Sequence, residues 1–335
     1  MRESLPGWVG LLVGALVLLL LPLVLYPVLA LEIATWGLFA VALDLLLGFV
    51  GVLSFGHAAF WGTGGYAAGI LARQFGLAFP IAALIGMLAA VVLAVPFGYL
   101  SIRRRGIYFA MVTLAFSQMV YYVANEWRPV TGGENGVQGI PHTLGSLDLA
   151  DPRAFYYAAL PLLLVCYWAA HRVVHSPFGH VLVAIRDNEA RAQALGYPTR
   201  TYKLLAFLIS AALSGLAGAV FTLGHSFASL DLVDWRTSGT VVVMTILGGI
   251  GTLWGSVFGA AIFLLLRDSL STITDAWGVI TGTVFVVIVL AFRRGVWGTM
   301  LQLRLPAARS RGVAAAAAND TPAVQPTPES ESLVG

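Results

Sequence analysis

Two side chains that could do chemistry in this sequence, Asp44 and His57, lie in or beside long apolar runs. A charge placed inside a bilayer costs about 2.5–3.5 kcal/mol, so Asp44 requires a partner or a wet cavity. It could line or brace a solute path, or it could make a hydrogen bond between helices. His57 follows Ser54 by three residues and could share a helix face with it. A packing role and a place in a proton route both stay open for this histidine.

The sequence has no pattern typical of a metal, nucleotide or hydrolase site. HExxH and cysteine pairs are absent, since Cys166 is the only cysteine. A phosphate-binding GxxxxGK[ST] loop is also absent, because Lys203 is the only lysine and lacks the preceding glycines. An intramembrane serine protease would have to use Ser54 or Ser214, with histidines that are poorly placed for it. We therefore expect no enzyme, no metal and no cofactor bound by this chain, so any ATP–Mg would sit on another chain.

The composition places these residues in a membrane. Of 335 residues, 59% are hydrophobic and only 10% are charged, against roughly 25% charged in soluble domains. Repeated apolar runs predict an all-α, polytopic integral membrane protein with about 8–10 transmembrane helices, some of them broken by glycine. We expect a transmembrane domain over residues 1–305 and a disordered cytoplasmic tail over 306–335. The basic pI comes from arginines at membrane edges, so no nucleic-acid partner is expected.

The apolar runs and the arginines together predict a topology. The predicted spans are about 8–29, 31–50, 51–71, 80–102, 107–124, 154–172, 204–223, two short segments within 239–266, and 276–292. The first is expected to break near Pro22 and Pro27. Arginines at 103–105 and 293–294 and the charges of residues 176–203 should all be cytoplasmic. This map places both termini in the cytoplasm, and it places the 125–153 segment and the loop of Asp231 and Asp234 on the far side.

Two glycine-dense segments echo each other. Gly51-Val52-Leu53 resembles Gly251-Thr252-Leu253, and both triplets lie in interrupted apolar stretches, one in each half. Broken helices at matching positions point to a substrate path in transporters, although glycine also simply lets membrane helices pack closely. The candidate path residues are Asp44, Ser54, Gly56, His57, Gly248, Gly249 and Gly251.

Residues 176–203, the polar element from here on, interrupt the apolar pattern. Ser176 suits a helix N-cap, Pro177 suits the first helical position, and Gly196 is a stop signal. The sequence between them predicts one short helix. Its apolar side is expected to comprise Val181, Leu182, Ile185, Ala192 and Leu195.

The opposite side of the predicted helix is charged, and Asp187 and Arg191, four residues apart, are expected to pair there. The element is too short and too charged to span a bilayer. It is therefore either a docking helix for a soluble partner or a solvated helix between two spans.

Several blocks of the chain resemble one known family. They are LDLLLGFVGVLSFGHAAFWGTGGYAAG (43–69), RRRGIYFAMVTLAFSQ (103–118), TGGENGVQGIP (131–141), SPFGHVLVAIRDNEARAQALGYP (176–198), LAFLISAALSGLAGAVF (205–221), LGGIGTLWGSVFGA (247–260) and VLAFRRGVWG (289–298). In this order they resemble the permease subunits of branched-chain amino-acid ABC transporters. The resemblance implies a bacterial inner-membrane importer built with a second homologous permease, two cytoplasmic ATP-binding subunits and a periplasmic solute-binding protein.

The resemblance also implies a role for the polar element, because in such permeases a cytoplasmic helix sits in a groove of the ATPase. The residues expected to couple to the ATPase are Pro177, Gly179, Arg186, Glu189, Ala190 and Gly196. Asp44 departs from the family pattern, since many relatives have asparagine there. Relatives also import urea, short amides or aromatic acids, so these solutes remain alternatives. A rival from another class is an ion-coupled secondary transporter, in which Asp44 and His57 form a proton route.

Overall fold

Long apolar helices build the molecule, as a membrane environment requires when every backbone group must be satisfied internally. The computed structural model describes residues 7–141, 143–144, 147–272, 278–280, 282–283 and 285–286. All of them belong to one compact unit, Met1–Gly298. The α-helices are α1 Gly7–Val24, α2 Pro27–Asp44, α3 His57–Phe75, α4 Phe79–Ser101, α5 Ile107–Glu126, α6 Arg128–Thr131, α7 Pro152–Val174, α8 Pro177–Asp187, α9 Glu189–Ala194, α10 Thr199–His225, α11 Trp235–Gly248 and α12 Leu253–Ser271.

Short irregular elements join these helices. A π-helix, Leu45–Val50, continues α2, and 3-10 turns occupy Gly133–Asn135 and Leu230–Leu232. Strand β1 (Val137–Gln138) pairs antiparallel with β4 (Phe227–Ala228), and β2 (Thr143–Leu144) pairs with β3 (Leu147–Asp148).

Within the described residues, six helical segments are long and apolar enough to cross a membrane. They are Pro27–Val50, Phe79–Ser101, Ile107–Glu126, Pro152–Val174, Thr199–His225 and Leu253–Ser271. An additional shorter apolar helix covers Gly10–Val24. The prediction of an all-α polytopic membrane protein is confirmed.

The core forms where α2, α3, α4 and α10 meet. Small residues let these helices approach closely, as is common in membrane bundles. A Cβ on Gly64 of α3 would overlap the carbonyl oxygen of Gly215 in α10, and a Cβ on Gly218 would overlap that of Trp61. Helix α2 is almost fully buried, whereas most of α5 is exposed. The glycines of this region therefore serve helix packing.

Contacts between distant residues define the two ends of the bundle. At one end, Nε of Arg105 lies 3.2 Å from Oε2 of Glu189 in the polar element. At the other end, β1 pairs with β4, and Oη of Tyr26 donates to Oδ1 of Asp268 at 2.6 Å. The arginines at 103–105 and the polar element therefore lie at the same end, as their charge predicts.

Some predicted boundaries were wrong. The predicted break of the first span near Pro27 is confirmed, but the residues after it belong to the next helix: α1 ends at Val24 and Pro27 begins α2, where its missing N–H costs nothing. Pro22 lies inside α1 without ending it. Helix α3 begins at His57, after an extended link, rather than at residue 51.

The later predictions have mixed outcomes. The split of 239–266 into two segments is confirmed by α11 and α12. Most of the predicted span at 276–292 and all of the predicted tail at 306–335 lie outside the described residues.

Candidate functional site: the polar element and the glycine breaks

The N-terminus of the polar element has the predicted cap. Oγ of Ser176 accepts from the backbone N–H of Gly179 at 3.4 Å, and Pro177 occupies the first helical position of α8. A side chain on Gly179 would overlap the carbonyl oxygen of Val174. Glycine is therefore needed where α8 folds back on the end of α7.

The element contains two helices, so the prediction of one helix was wrong. Helix α8 ends at Asp187, and Asn188 adopts an extended conformation with φ −160°. Oδ1 of Asn188 accepts from the backbone N–H of Arg191 at 2.9 Å and caps α9. Because the side chain of Asn188 accepts from an N–H in the first turn of α9, it starts a second helix at this point and α8 ends before it.

This break also overturns two side-chain predictions. Asp187 does not pair with Arg191, but its Oδ1 lies 3.1 Å from Nη2 of Arg186. Leu195 is not on the buried side, because it follows the last residue of the re-aimed α9 and is 73% exposed. The predicted apolar positions at Leu182, Ile185 and Ala192 are buried, and Val181 is half-buried.

Gly196 ends α9 as predicted. Its φ is +88°, in the left-handed region that favours glycine. No atom outside its neighbours lies within 4 Å of the position that a Cβ would occupy. The N–H of Tyr197 then donates to the carbonyl of Ala192 at 3.2 Å, which closes the helix end. The backbone conformation, rather than crowding, explains glycine at this position.

Glu189 connects three parts of the chain. Its Oε1 accepts from Nζ of Lys203 at 2.7 Å and from Oγ1 of Thr199 at 3.3 Å, and its Oε2 pairs with Arg105. The side chain of Lys203 is only 10% exposed, whereas that of Arg105 is 71% exposed. Burial opposes ionisation of Glu189, but Lys203 and then Arg105 outweigh it and hold the pKa of this carboxyl below its usual value. Glu189 thus fixes α9 to the start of α10 and to the end of α4.

Arg186 connects the element to a broken membrane helix. Its Nη1 donates to the carbonyl oxygen of Gly48 at 2.5 Å, within the π-helix that follows α2. Its stem also lies against Gly51, which has φ +81° and ends that π-helix. Gly48 lies near the C-terminal end of this helix, where carbonyl groups have no partner within the helix, so its oxygen is available to an arginine. A direct polar contact therefore joins the surface element to the interior of the bundle.

The glycine turn at Gly251 packs against the end of α2 and the π-helix beside this contact. Asp44 is fully buried, and its Oδ1 accepts from the backbone N–H of Gly251 at 2.8 Å. A Cβ on Gly48 would overlap the backbone nitrogen of Gly251. Oδ1 of Asp44 thus has a backbone partner across the turn between α11 and α12, whereas its buried Oδ2 has no hydrogen-bond partner among the described residues.

That turn is closely packed. Gly249 and Gly251 have φ of +122° and +77°. A Cβ on Gly248 would overlap the carbonyl oxygen of Gly255. These glycines hold α11 and α12 in a tight hairpin, and their role in lining a solute path stays a prediction.

Ser54, Gly56 and His57 form a separate group. Oγ of Ser54 accepts from the N–H of Gly56 at 3.2 Å. Ser54 lies before α3, which begins at His57, so the prediction that the two share a helix face was wrong. His57 is fully buried with its Nε2 2.8 Å from Oγ of Ser210, whose hydroxyl donates to the carbonyl of Ala42. Because that proton is committed to Ala42, the serine oxygen accepts from the histidine. His57 thus joins α2, α3 and α10, and the arrangement does not resemble an activated serine.

A bundle of long apolar helices with glycine-broken segments and a charged surface element defines a multi-pass membrane transport subunit. Residues 27–290 match the family model described as branched-chain amino acid transport system / permease component. The chain belongs to this family and is a permease subunit of an ABC transporter.

Curated relatives agree with this assignment. The chain is 28% identical over 299 residues to the high-affinity branched-chain amino acid transport system permease protein LivM of Escherichia coli K12, covering 81% of this chain and 69% of that protein. It is 29% identical over 188 residues to the inner membrane ABC transporter permease protein YjfF of the same organism, covering 52% and 54%. It is 30% identical over 138 residues to the autoinducer 2 import system permease protein LsrC of Klebsiella pneumoniae, covering 39% of each chain. No solved structure matches.

Proposed function

We propose that this chain is an inner-membrane permease of an ATP-driven importer for branched-chain or related amino acids. It would work with a second homologous permease, two cytoplasmic ATPase subunits that bind ATP–Mg, and a periplasmic solute-binding protein. Two relatives that align with this chain over 299 residues carry branched-chain amino acid transport in their names. Family membership supports the ATPase and binding-protein partners in general terms.

The contact from Arg186 to Gly48 is the observation that carries the mechanism. A subunit that pulls on the polar element would act directly on the break at the end of α2, with no flexible link between them. Asp44 then passes that displacement to the turn between α11 and α12 through Gly251. Two broken helices would therefore move together, as alternating access requires.

The exposed surface of the polar element suits a soluble partner. Leu195 and Tyr197 are exposed apolar side chains, and Arg191 and Arg200 flank them as exposed cations. An apolar centre with a charged rim is typical of protein interfaces. Glu189 forms its ion pairs with residues of this chain, so its proposed role in coupling is to hold α9 in place beneath the ATPase.

Orientation follows from the charges. The end of the bundle with the polar element and the arginines at 103–105 is proposed to be cytoplasmic. Near its own N-terminal end, α1 packs Gly10 and Gly14 against Trp254 at the start of α12, beside the same glycine turn. The N-terminus is therefore proposed to be cytoplasmic, as is the C-terminus. Residues 125–141 and the loop of Asp231 would face the binding protein.

Uptake in proteoliposomes tests the proposal. The chain is co-expressed with the ATPase, permease and binding-protein genes encoded beside it, and the purified complex is given ATP inside and labelled leucine outside. We expect accumulation of leucine that requires ATP, the ATPase subunits and the binding protein. Recovery of an active chain without an ATPase, with uptake driven by a proton gradient, would instead support the ion-coupled rival.

An element-specific variant separates coupling from folding. Arg186→Gln removes the charged donor to Gly48 but leaves the buried face of α8 intact, so uptake per ATP hydrolysed should fall while expression is retained. Arg104→Gln is a matched control, because it removes an exposed cation at the same end of the bundle but outside the polar element. Equal transport by both variants would contradict a coupling role for Arg186.

A further inference from the structure

A cavity lies at the end of the bundle opposite the polar element. Its volume is about 360 Å³, within the roughly 300–1,000 Å³ typical of small-molecule sites. Helix α10 is 27 residues long; it starts beside Glu189 and ends at His225, which lines the cavity. A helix of that length measures about 40 Å, so the cavity and the polar element are separated by the thickness of a membrane.

One wall of the cavity is aromatic. The ring centroids of Trp36 and Trp61 are 5.2 Å apart, and those of Trp61 and Phe221 are 5.3 Å apart. Trp61 is fully buried and Trp36 is 9% exposed, yet neither indole N–H has a hydrogen-bond partner among the described residues. These rings therefore present an apolar surface to the cavity.

The same cavity is lined by two opposite charges, Asp231 and Arg267. Neither forms an ion pair with another residue in the described part of the chain. His225 also lines the cavity, but its Nδ1 contacts the carbonyl of Phe221 at 2.8 Å and its Nε2 lies 3.3 Å from Oε1 of Glu32. One carboxylate and one guanidinium are thus available to a solute.

We propose that this cavity is a substrate-binding vestibule for a zwitterion with an apolar side chain, as in leucine. The inference rests on the proposed function as an amino-acid importer and names a site for its substrate. Arg267 binds the α-carboxylate, since a guanidinium fork matches a carboxylate. Asp231 binds the α-ammonium group, and the aliphatic side chain packs on the aromatic wall.

Cysteine protection tests this site directly. The only native cysteine, Cys166, is buried and is replaced by serine. Ser229→Cys then places a thiol in the cavity lining, and Gln74→Cys, an exposed position outside the cavity, serves as the control. Full-length chains, co-expressed with the other transporter subunits, are labelled with a small maleimide in right-side-out membrane vesicles. Leucine, 3-methylbutylamine or 4-methylpentanoate is added as the protecting solute.

We expect leucine at twice its dissociation constant to slow labelling of the Ser229→Cys thiol about threefold. Neither analogue should do so at the same concentration, and the Gln74→Cys thiol should react equally in all conditions. Asp231→Asn and Arg267→Gln should each raise the leucine concentration needed by about tenfold, through loss of one charged hydrogen bond.

The outcomes separate this proposal from the importer assignment. Unchanged labelling in leucine, with ATP-driven leucine uptake intact, would overturn the vestibule and leave the importer standing. Equal protection by either analogue would overturn the zwitterionic selectivity. Protection by leucine without any ATP-driven uptake would support the vestibule and overturn the importer.

Discussion

Glu189 forms two ion pairs, one buried and one exposed, so a single carboxylate allows the strengths of the two pairs to be compared directly. Lys203 approaches Oε1 at 2.7 Å with its side chain 10% exposed, and Arg105 approaches Oε2 at 3.2 Å with its side chain 71% exposed. A hydrogen bond between charged groups out of solvent contributes about 1.5–3 kcal/mol. A solvated surface pair contributes about 0.2–1 kcal/mol.

Double-mutant cycles convert this difference into a measurement. Glu189→Gln is combined with Lys203→Met in one cycle and with Arg105→Gln in the other, and the free energy of unfolding is measured in mixed detergent micelles. We expect a coupling energy of about 1.5–3 kcal/mol for the Lys203 cycle and below about 1 kcal/mol for the Arg105 cycle. Equal coupling energies, or a larger one for Arg105, would refute the argument that burial sets the strength of these pairs.

The same carboxyl predicts a pH dependence. Because its pKa is lower in the folded state than the ordinary value of about 4.3, Glu189 stabilises the protein fully above that value. This stabilisation is lost as the pH falls through the lowered pKa. Unfolding measured from pH 7 downward should therefore show a stability difference between wild type and Glu189→Gln that shrinks in acid. A difference that stays constant down to pH 3 would show that the pair is not ionic.

Three substitution pairs extend the account. Gly196→Ala and Gly76→Ala each place a side chain in the left-handed backbone region, and neither new Cβ meets an atom within 4 Å. Each substitution should therefore lower the stability of the protein by about 1–2 kcal/mol. Only Gly196→Ala should also uncouple uptake from ATP hydrolysis in proteoliposomes. Gly248→Ala should prevent accumulation of folded protein, because the new Cβ overlaps a backbone carbonyl. Gly239→Ala in the same helix meets no atom within 4 Å and should be neutral or stabilising by about 0.5–1 kcal/mol. Thermal unfolding and the yield of protein in membranes distinguish the two variants. Asp44→Asn keeps an acceptor for the buried N–H of Gly251 and should retain uptake. Asp44→Leu removes that acceptor and should lower the stability of the protein by about 1–3 kcal/mol. Similar behaviour of the two variants would exclude a role for this hydrogen bond.

Local signals in the sequence predicted the limits of the polar element well. The helix cap at Ser176 and the helix end at Gly196 depend on the residue type at one position and on its immediate neighbours, which can be read directly from the sequence. The break at Asn188 was missed because an apolar pattern with helical spacing runs through it. Asparagine followed directly by glutamate at a helix start was the signal available there.

The sequence alone could not predict the contacts between helices across the bundle. Asp44 and Gly251 are 207 positions apart, and His57 and Ser210 are 153 apart, so periodicity within a segment cannot pair them. The echo between the two glycine segments indicated that they correspond, but it did not indicate that Gly251 packs against the helix that leads into the first segment. Trp36 and Trp61 read as ordinary apolar residues, because only the fold brings their rings together.

Labelling of an introduced cysteine tests the central claim, that the polar element is a cytoplasmic surface for ATPase subunits. Leu195→Cys in a Cys166→Ser chain places a thiol on the exposed end of α9. A membrane-impermeant maleimide should label it in inside-out vesicles but not in intact cells, and co-expressed ATPase subunits should slow that labelling. Labelling from outside intact cells would contradict both the orientation and the docking role.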